Sequence, residues 1–171
     1  MKYARLFPVT GVALFTLILS VASGWTQAPS AKPPLIVGIW KLNPEKSNLR
    51  LAPDFVEIRQ YSQRPDGFLV GLLIQGSTAQ GYHFLQFTAK SDGKDYPEFS
   101  DPLLAEFLAT GKETTRTYAE RIIDEYVTEW TDKVNGRVSA QGKKTISKDG
   151  KTLTITVDGA PAGQVRIYDR Q

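Results

Sequence analysis

The C-terminal run Val165-Arg166-Ile167-Tyr168-Asp169-Arg170 holds the residues best suited to grip an anion. On a strand, alternate side chains share a face, so Arg166 and Tyr168 point the same way. An arginine fork donates two parallel hydrogen bonds and matches a carboxylate. The same alternation puts Val165 and Ile167 on the other face. If that pair turns inward, Arg166 and Tyr168 meet solvent instead, and both readings stand at this point. His83 is the only histidine. In the segment Tyr82–Lys90 it shares a face with Leu85, Phe87 and Ala89. A lone histidine on such a mixed face is first a partly buried packing residue, and an axial haem ligand is the lesser reading. The ligand-facing set nominated from sequence is therefore Arg166, Tyr168, His83, Leu85 and Phe87.

Acidic residues gather at Glu120, Asp124, Glu125, Glu129 and Asp132. Paired carboxylates can do acid–base work or hold calcium. Alternation sets Glu125 and Glu129 beside Val127 and Thr131, opposite Tyr126, Thr128 and Trp130. The cluster is expected to be a solvated outer face. The chain has no cysteine and one histidine. Disulfides are excluded, and nitrogen and sulfur ligands are too few for a zinc site. No Gly-x-Ser-x-Gly, Gly-x-Gly-x-x-Gly, phosphate loop or Asp-x-Asp-x-Asp-Gly calcium loop occurs. No catalytic residue, metal or cofactor is assigned, and a binding protein is expected rather than an enzyme.

These side chains need a scaffold, and the chain is long enough for one domain with a real core. Residues 1–23 are set apart. Lys2 and Arg5 are basic, Leu6–Ala22 is uncharged and apolar, and Ser23 and Gly24 are small. That order is a secretory signal, cleaved after Ser23 or Gly24, and it implies a periplasmic or secreted protein. The apolar core is at the lower limit of the ~17–25 residues that span a bilayer. No stable membrane span is expected after cleavage. Residues 24–34 contain Pro29, Pro33 and Pro34 and read as a linker. Removing Lys2 and Arg5 from 21 basic residues leaves 19 against 18 acidic ones. So balanced a domain gives no reason to propose nucleic acid as a partner.

From residue 35 to 171 the chain becomes a series of short strand-like segments. They cover 35–42, 54–62, 68–75, 82–90, 114–123, 125–132, 137–147, 152–158 and 164–169, with a stub at 95–97. Leu153, Ile155 and Val157 alternate with threonines, as in a strand buried on one side. Asn135-Gly136 and Asp149-Gly150 are hairpin turn signals. Short turns between so many strands favour an antiparallel up-and-down meander, which removes its edges by closing into a barrel. Residues 101–110 break the pattern with helical spacing, Pro102 in the first turn and Gly111 at the end. This helix is expected to pack on the barrel or over its mouth, either as a plug of one end or as a mobile lid. Phe68, Val70, Leu72 and Ile74 share one face of their strand and Leu69 and Leu73 the other. Such residues fill a core or line an apolar cavity, according to barrel size.

Gly38-Ile39-Trp40 on the first strand resembles the Gly-x-Trp signature of lipocalins and the wider calycin superfamily. The blocks Asp92–Pro97 and Ser147–Thr154 are similar to those of small exported bacterial lipocalin-like proteins. The resemblance covers residues 35–171. It implies an all-β, antiparallel barrel of about eight to ten strands with Trp40 near its closed end. It also implies that a basic residue of the last strand, Arg166 or Arg170, lies across that indole, a contact worth ~0.5–2 kcal/mol. Gly38 would let another segment pass close by. Arg166-x-Tyr168 further resembles the last strand of intracellular fatty-acid-binding proteins, in which such a pair holds a lipid carboxylate. The function implied is the binding of a small hydrophobic or amphipathic ligand inside the barrel. The alternative is a filled barrel that acts as an envelope interaction module through its outer surface.

Overall fold

The computed structural model describes residues 33–160 and 165–171. The signal and most of the linker lie outside the described residues. Ten strands run in chain order: β1 (Gly38–Leu42), β2 (Val56–Gln63), β3 (Leu69–Ser77), β4 (Gly81–Ala89), β5 (Tyr96–Ser100), β6 (Arg116–Ile122), β7 (Val127–Val134), β8 (Arg137–Ile146), β9 (Thr152–Val157) and β10 (Arg166–Arg170). Each pairs antiparallel with the next, and β1 pairs with β10 to close the barrel. The stub expected at 95–97 is a full strand, β5. It carries the alternation of exposed Pro97 and Phe99 against buried Glu98 and Ser100.

The registers fix which face turns inward. Trp40 lies opposite Arg59 and Arg170, and Leu42 opposite Tyr168. From these pairs the inward rows follow strand by strand. They include Tyr61, Leu69, Phe87, Tyr118, Ile146, Leu153 and Ile155, all buried in one cluster. Phe87 and Tyr118 stack with ring centroids 3.8 Å apart. Gly71 makes room for that stack, because a Cβ there would meet the Phe87 ring at 2.3 Å. Val70, Leu72 and Ile74 are on the outer face of β3, opposite in parity to buried Leu69 and Gly71, whereas Phe68 precedes the strand and packs edge-on against Tyr96.

One end of the barrel is closed by the segment before β1. Leu35, Ile36 and Val37 pack against the core, and Trp40 Nε1 donates to the Ile36 carbonyl at 2.8 Å. Arg170 lies across the Trp40 ring, 4.2 Å from its centroid. Its guanidinium donates to the carbonyls of Gly150, Val37 and Leu35. Of the two arginines the resemblance offers for this contact, the geometry selects Arg170. Gly38 sits at φ +143°, and a Cβ there would meet Arg170 Nη1 at 2.6 Å. The segment that passes close to Gly38 is thus the arginine side chain itself.

The helix α1 (Asp101–Thr110) follows β5 directly and ends at Gly111 in the left-handed region, φ 67°. None of its residues is buried. A plug would bury one face, so α1 does not fill the barrel end. Leu103, Leu104 and Phe107 instead flank a groove with Pro97, Phe99 and Thr117 on the outer wall. The physical reason is that the interior is already occupied by strand side chains.

Candidate functional site

The barrel interior is charged as well as apolar. Glu57 and Arg59 from β2, Glu98 from β5, Arg116 and Glu120 from β6, Asp132 from β7, Lys144 from β8 and Arg166 from β10 occupy inward positions. Four acids face four bases. Buried charges persist only when paired and hydrogen-bonded; Glu57, Arg59, Arg166, Glu120 and Lys144 fall into two networks, and Arg116 stands between Glu98 and Asp132.

The first network surrounds Tyr168, which is fully buried. Its hydroxyl donates to Glu57 Oε1 at 2.5 Å and accepts from Arg59 Nε at 2.9 Å. Arg59 Nη2 donates to the same Glu57 oxygen at 2.8 Å. Arg166 Nε lies 3.4 Å from Glu57 Oε2. Arg166 and Tyr168 therefore do face the interior, on the side that alternation left open. The Tyr168 hydroxyl, however, already serves both neighbours as donor and acceptor. Burial, together with the Glu57 charge, raises its pKa well above the ordinary phenol range.

The second network joins β6 to β8. Lys144 Nζ donates to the Tyr118 hydroxyl and lies 3.3 Å from Glu120 Oε2. Tyr118 in turn donates to Glu120 at 2.8 Å. Burial pushes the Glu120 carboxyl up, but Lys144 and the hydroxyls of Ser91 and Tyr118 outweigh it and hold it below the usual carboxylate range. The expectation of an outer acidic face is thus corrected for two residues. Glu120 and Asp132 turn inward, whereas Glu129 stays on the surface with Arg121 and Lys143. Asp124 and Glu125 are exposed. The five acids had been grouped by nearness in sequence, and strand alternation splits them.

Between the networks lies a cavity of about 90 Å³. Its wall combines apolar Leu73, Leu85, Phe87, Ile155 and Val157 with Arg59, Glu98, Tyr118, Trp130, Asp132, Lys144 and Arg166. Most of these positions lie in the half of the barrel nearer the β3–β4 and β7–β8 turns, away from the end that Leu35–Val37 close. Two polar groups of the wall are buried without a hydrogen-bond partner among the described residues: the Trp130 indole Nε1 and the Glu98 carboxylate. Arg116 Nε stands 2.6 Å from Glu98 Oε1, an ion-pair contact without hydrogen-bond alignment. Arg116 also reaches Asp132 at 3.9 Å. Burial, reinforced by the Asp132 charge and opposed by Arg116, pushes the Glu98 carboxyl up to about 7. Burial likewise raises Asp132.

The nominated residues thus divide. Leu85, Phe87 and Arg166 line the cavity, and Tyr168 stands behind it. His83 is corrected: it is exposed at the end of β4, with Nδ1 2.9 Å from Asp101 Oδ2. The Asp101 carboxylate also accepts from the Phe84 backbone N–H, so His83 ties β4 to α1 at the rim. Sequence reasoning missed Glu98, Arg116 and Trp130. Trp130 and Asp132 do share a strand face, but Glu98 lies on a strand read only as a stub. Among the described residues no group of acids and histidines is placed to hold a metal ion, and no helix is long and apolar enough to cross a membrane.

No protein-family model matches the chain, and no curated protein matches it in sequence. The closed antiparallel barrel is consistent with a lipocalin-like fold on its topology.

Proposed function

We propose that this chain is an exported, lipocalin-like member of the calycin superfamily that binds a small amphipathic ligand in its barrel. The observation that carries the reading is the cavity wall, in which, among the described residues, the Trp130 indole N–H is buried without a hydrogen-bond partner and the Glu98 carboxylate has only the unaligned Arg116 ion pair. An unpaired buried polar group costs ~1–3 kcal/mol, and a ligand that bonds to both recovers that cost. Leu73, Leu85 and Val157 offer the same ligand an apolar surface. The volume suits a head of a few heavy atoms whose tail leaves through the mouth. Pockets that engulf a drug-sized ligand run to ~300–1,000 Å³. The basic, apolar and small-residue order of residues 1–24 supports export.

The test is native mass spectrometry of the chain purified from the compartment to which it is exported. A stoichiometric small molecule, lost from Trp130→Phe, is the expected result. A bare chain that binds no member of a panel of short-chain acids, alcohols and amines would overturn the reading. A second reading, an envelope interaction module, is favoured by the outer wall. Phe84 and Phe99 sit there 5.9 Å apart and exposed, beside an apolar groove of about 530 Å³ under α1. A tightly packed, ligand-free chain that co-purifies with an envelope protein would support it.

A further inference from the structure

The cavity wall also carries information about the head group. Its cations are Arg59, Lys144 and Arg166, with Arg116 behind Glu98. Lys144 is engaged by Glu120 and Tyr118, and Arg59 by Glu57 and Tyr168. Arg166 makes only the 3.4 Å approach of its Nε to Glu57 among the described residues. A cationic ligand would enter a site already holding these positive charges. A neutral one would leave their donors to water. Trp130 Nε1 can only donate, so its missing partner is an acceptor. A small anion meets both conditions. The wall carboxylates Glu98 and Asp132 oppose it; Asp132 is offset by Arg116 at 3.9 Å and by Lys144 and Arg59, which leaves Glu98 beside Trp130 to repel a carboxylate at bonding distance. A proton on Glu98 removes the repulsion and turns that residue into a donor.

Resting on the reading of this cavity as a ligand site, we propose that it takes up a small carboxylate together with one proton, the anion accepting hydrogen bonds from Trp130 Nε1–H and from the Glu98 carboxyl that carries the proton. The balance is simple. Ligand anion, ionised Glu98 and one proton from solvent give a complex with neutral Glu98 and the intact anion, and no covalent bond changes beyond the O–H on Glu98. The groups facing Glu98 agree with this balance. Tyr118 comes from β6, with Arg116 beside Glu98, Asp132 and Trp130 from β7, Lys144 from β8, Arg166 from β10 and Arg59 from β2. From β3, β4 and β9 the cavity receives only Leu73, Leu85, Phe87, Ile155 and Val157. With Glu98 neutral, four interior bases face three carboxylates, and the bound anion restores neutrality. The carboxyl has a value of about 7, which places the exchange near neutral pH. The role differs from that of Tyr168, whose hydroxyl is fully engaged by Glu57 and Arg59.

Isothermal titration of the purified chain with acetate, butyrate and hexanoate, in two buffers of different ionisation enthalpy, reads the proton directly. Near pH 8 wild type is expected to absorb close to one proton per anion. Its Kd should weaken about tenfold per pH unit above neutrality and flatten below about pH 6. Glu98→Gln, which keeps a donor and cannot ionise, should bind with a pH-independent Kd and no proton uptake. Trp130→Phe should weaken binding roughly tenfold and keep the pH slope. The wild-type measurement stands even if a variant fails to fold. Carboxylate binding without proton uptake and with a flat pH profile overturns the role of Glu98. Binding of matched alcohols or amines, with none of carboxylates, overturns the head-group assignment and leaves the ligand site intact. If no probe of any class binds, the reading of the cavity as a ligand site fails first.

Discussion

Replacing Lys144 by methionine strikes the interior ion network at its centre. Lys144 is 3% exposed and Glu120 4%. The ammonium is 3.3 Å from Glu120 Oε2 and lies 4.8, 5.3 and 4.9 Å from the ring centroids of Tyr61, Phe87 and Tyr118. At an effective dielectric constant of ~20, opposite unit charges at that separation attract by ~5 kcal/mol. Desolvation of both ions offsets most of this, so the intact pair adds little net stability. The variant loses the attraction and keeps a desolvated carboxylate. Breaking a buried pair from one side costs about 3–5 kcal/mol, a large share of the ~5–15 kcal/mol that holds a domain folded. The pH dependence is the distinguishing mark. In wild type the Glu120 carboxyl lies below its ordinary value. Its contribution is therefore complete above the unfolded value of ~4.3 and is lost as pH falls through the lower folded value. In the variant burial prevails and the folded value rises above the unfolded one. The native state then binds the proton more readily, so the loss is greatest near pH 8 and shrinks toward about pH 4. Urea unfolding followed by tryptophan fluorescence across that range measures it. A loss under ~1 kcal/mol at neutral pH, or one that grows on acidification, would refute the reasoning. Adding Glu120→Gln should restore much of the stability, because the stranded charge leaves with its partner.

Glu98 should shape the pH–stability profile in the opposite sense to wild-type Glu120. Its carboxyl is raised in the folded state to about 7 by burial and by Asp132. The stability linked to its proton is therefore complete below the unfolded value of ~4.3 and declines as pH rises through about 7. Glu98→Gln should melt higher than wild type near pH 8 and match it near pH 4, read by scanning fluorimetry; a pH-independent difference counts against the assignment. Gly71→Ala forces a methyl group to 2.3 Å from the Phe87 ring, and overpacking of this kind costs ~1–3 kcal/mol. Denaturant midpoints measure that cost, and an unchanged midpoint would mean that the ring stack has freedom to move. Arg170→Ala removes the indole contact and leaves the Leu35, Val37 and Gly150 carbonyls short of a donor. A loss of ~2–3 kcal/mol is expected, with faster amide exchange at Val37 than at β3 or β4. Equal exchange at both places contradicts a clamp on the closed end.

The architecture was legible because turns and alternation are local. Asn135-Gly136 announces its hairpin through two consecutive positive φ values, 49° and 76°. Leu153 and Ile155 alternate with threonine, and they are buried. The contact of a last-strand base with the Trp40 indole came from resemblance, and Arg170 was distinguishable from Arg166 only once register was known. Trp40 lies opposite Arg170, whereas Arg166 pairs with Ile155 further along the strand. The helix was placed correctly along the chain, and of its readings packing on the barrel holds while the plug does not, since amphipathic spacing says nothing about whether the space beneath is free.

The site was far less legible, and the reason is physical. An inside-apolar rule assigns faces well on β9, where one side is uniformly apolar. It fails on β6, where Tyr118 and Glu120 turn inward against Thr117 and Arg121, and on β8, where Lys144 and Ile146 share the inner row. Ten strands enclose a wider interior than eight, and this one is filled by charges that neutralise one another across the barrel. The partners are distant in sequence. Glu57 meets Tyr168 across 111 positions, and Lys144 meets Glu120 across 24. No local pattern can reveal such a match, so each charged residue read alone looks like a surface residue. The same reasoning picks out Trp130 and Glu98. Of the cavity wall's polar groups among the described residues, the Trp130 indole N–H lacks a hydrogen bond and the Glu98 carboxylate has only the unaligned Arg116 ion pair, so these are the places at which a bound molecule gains most.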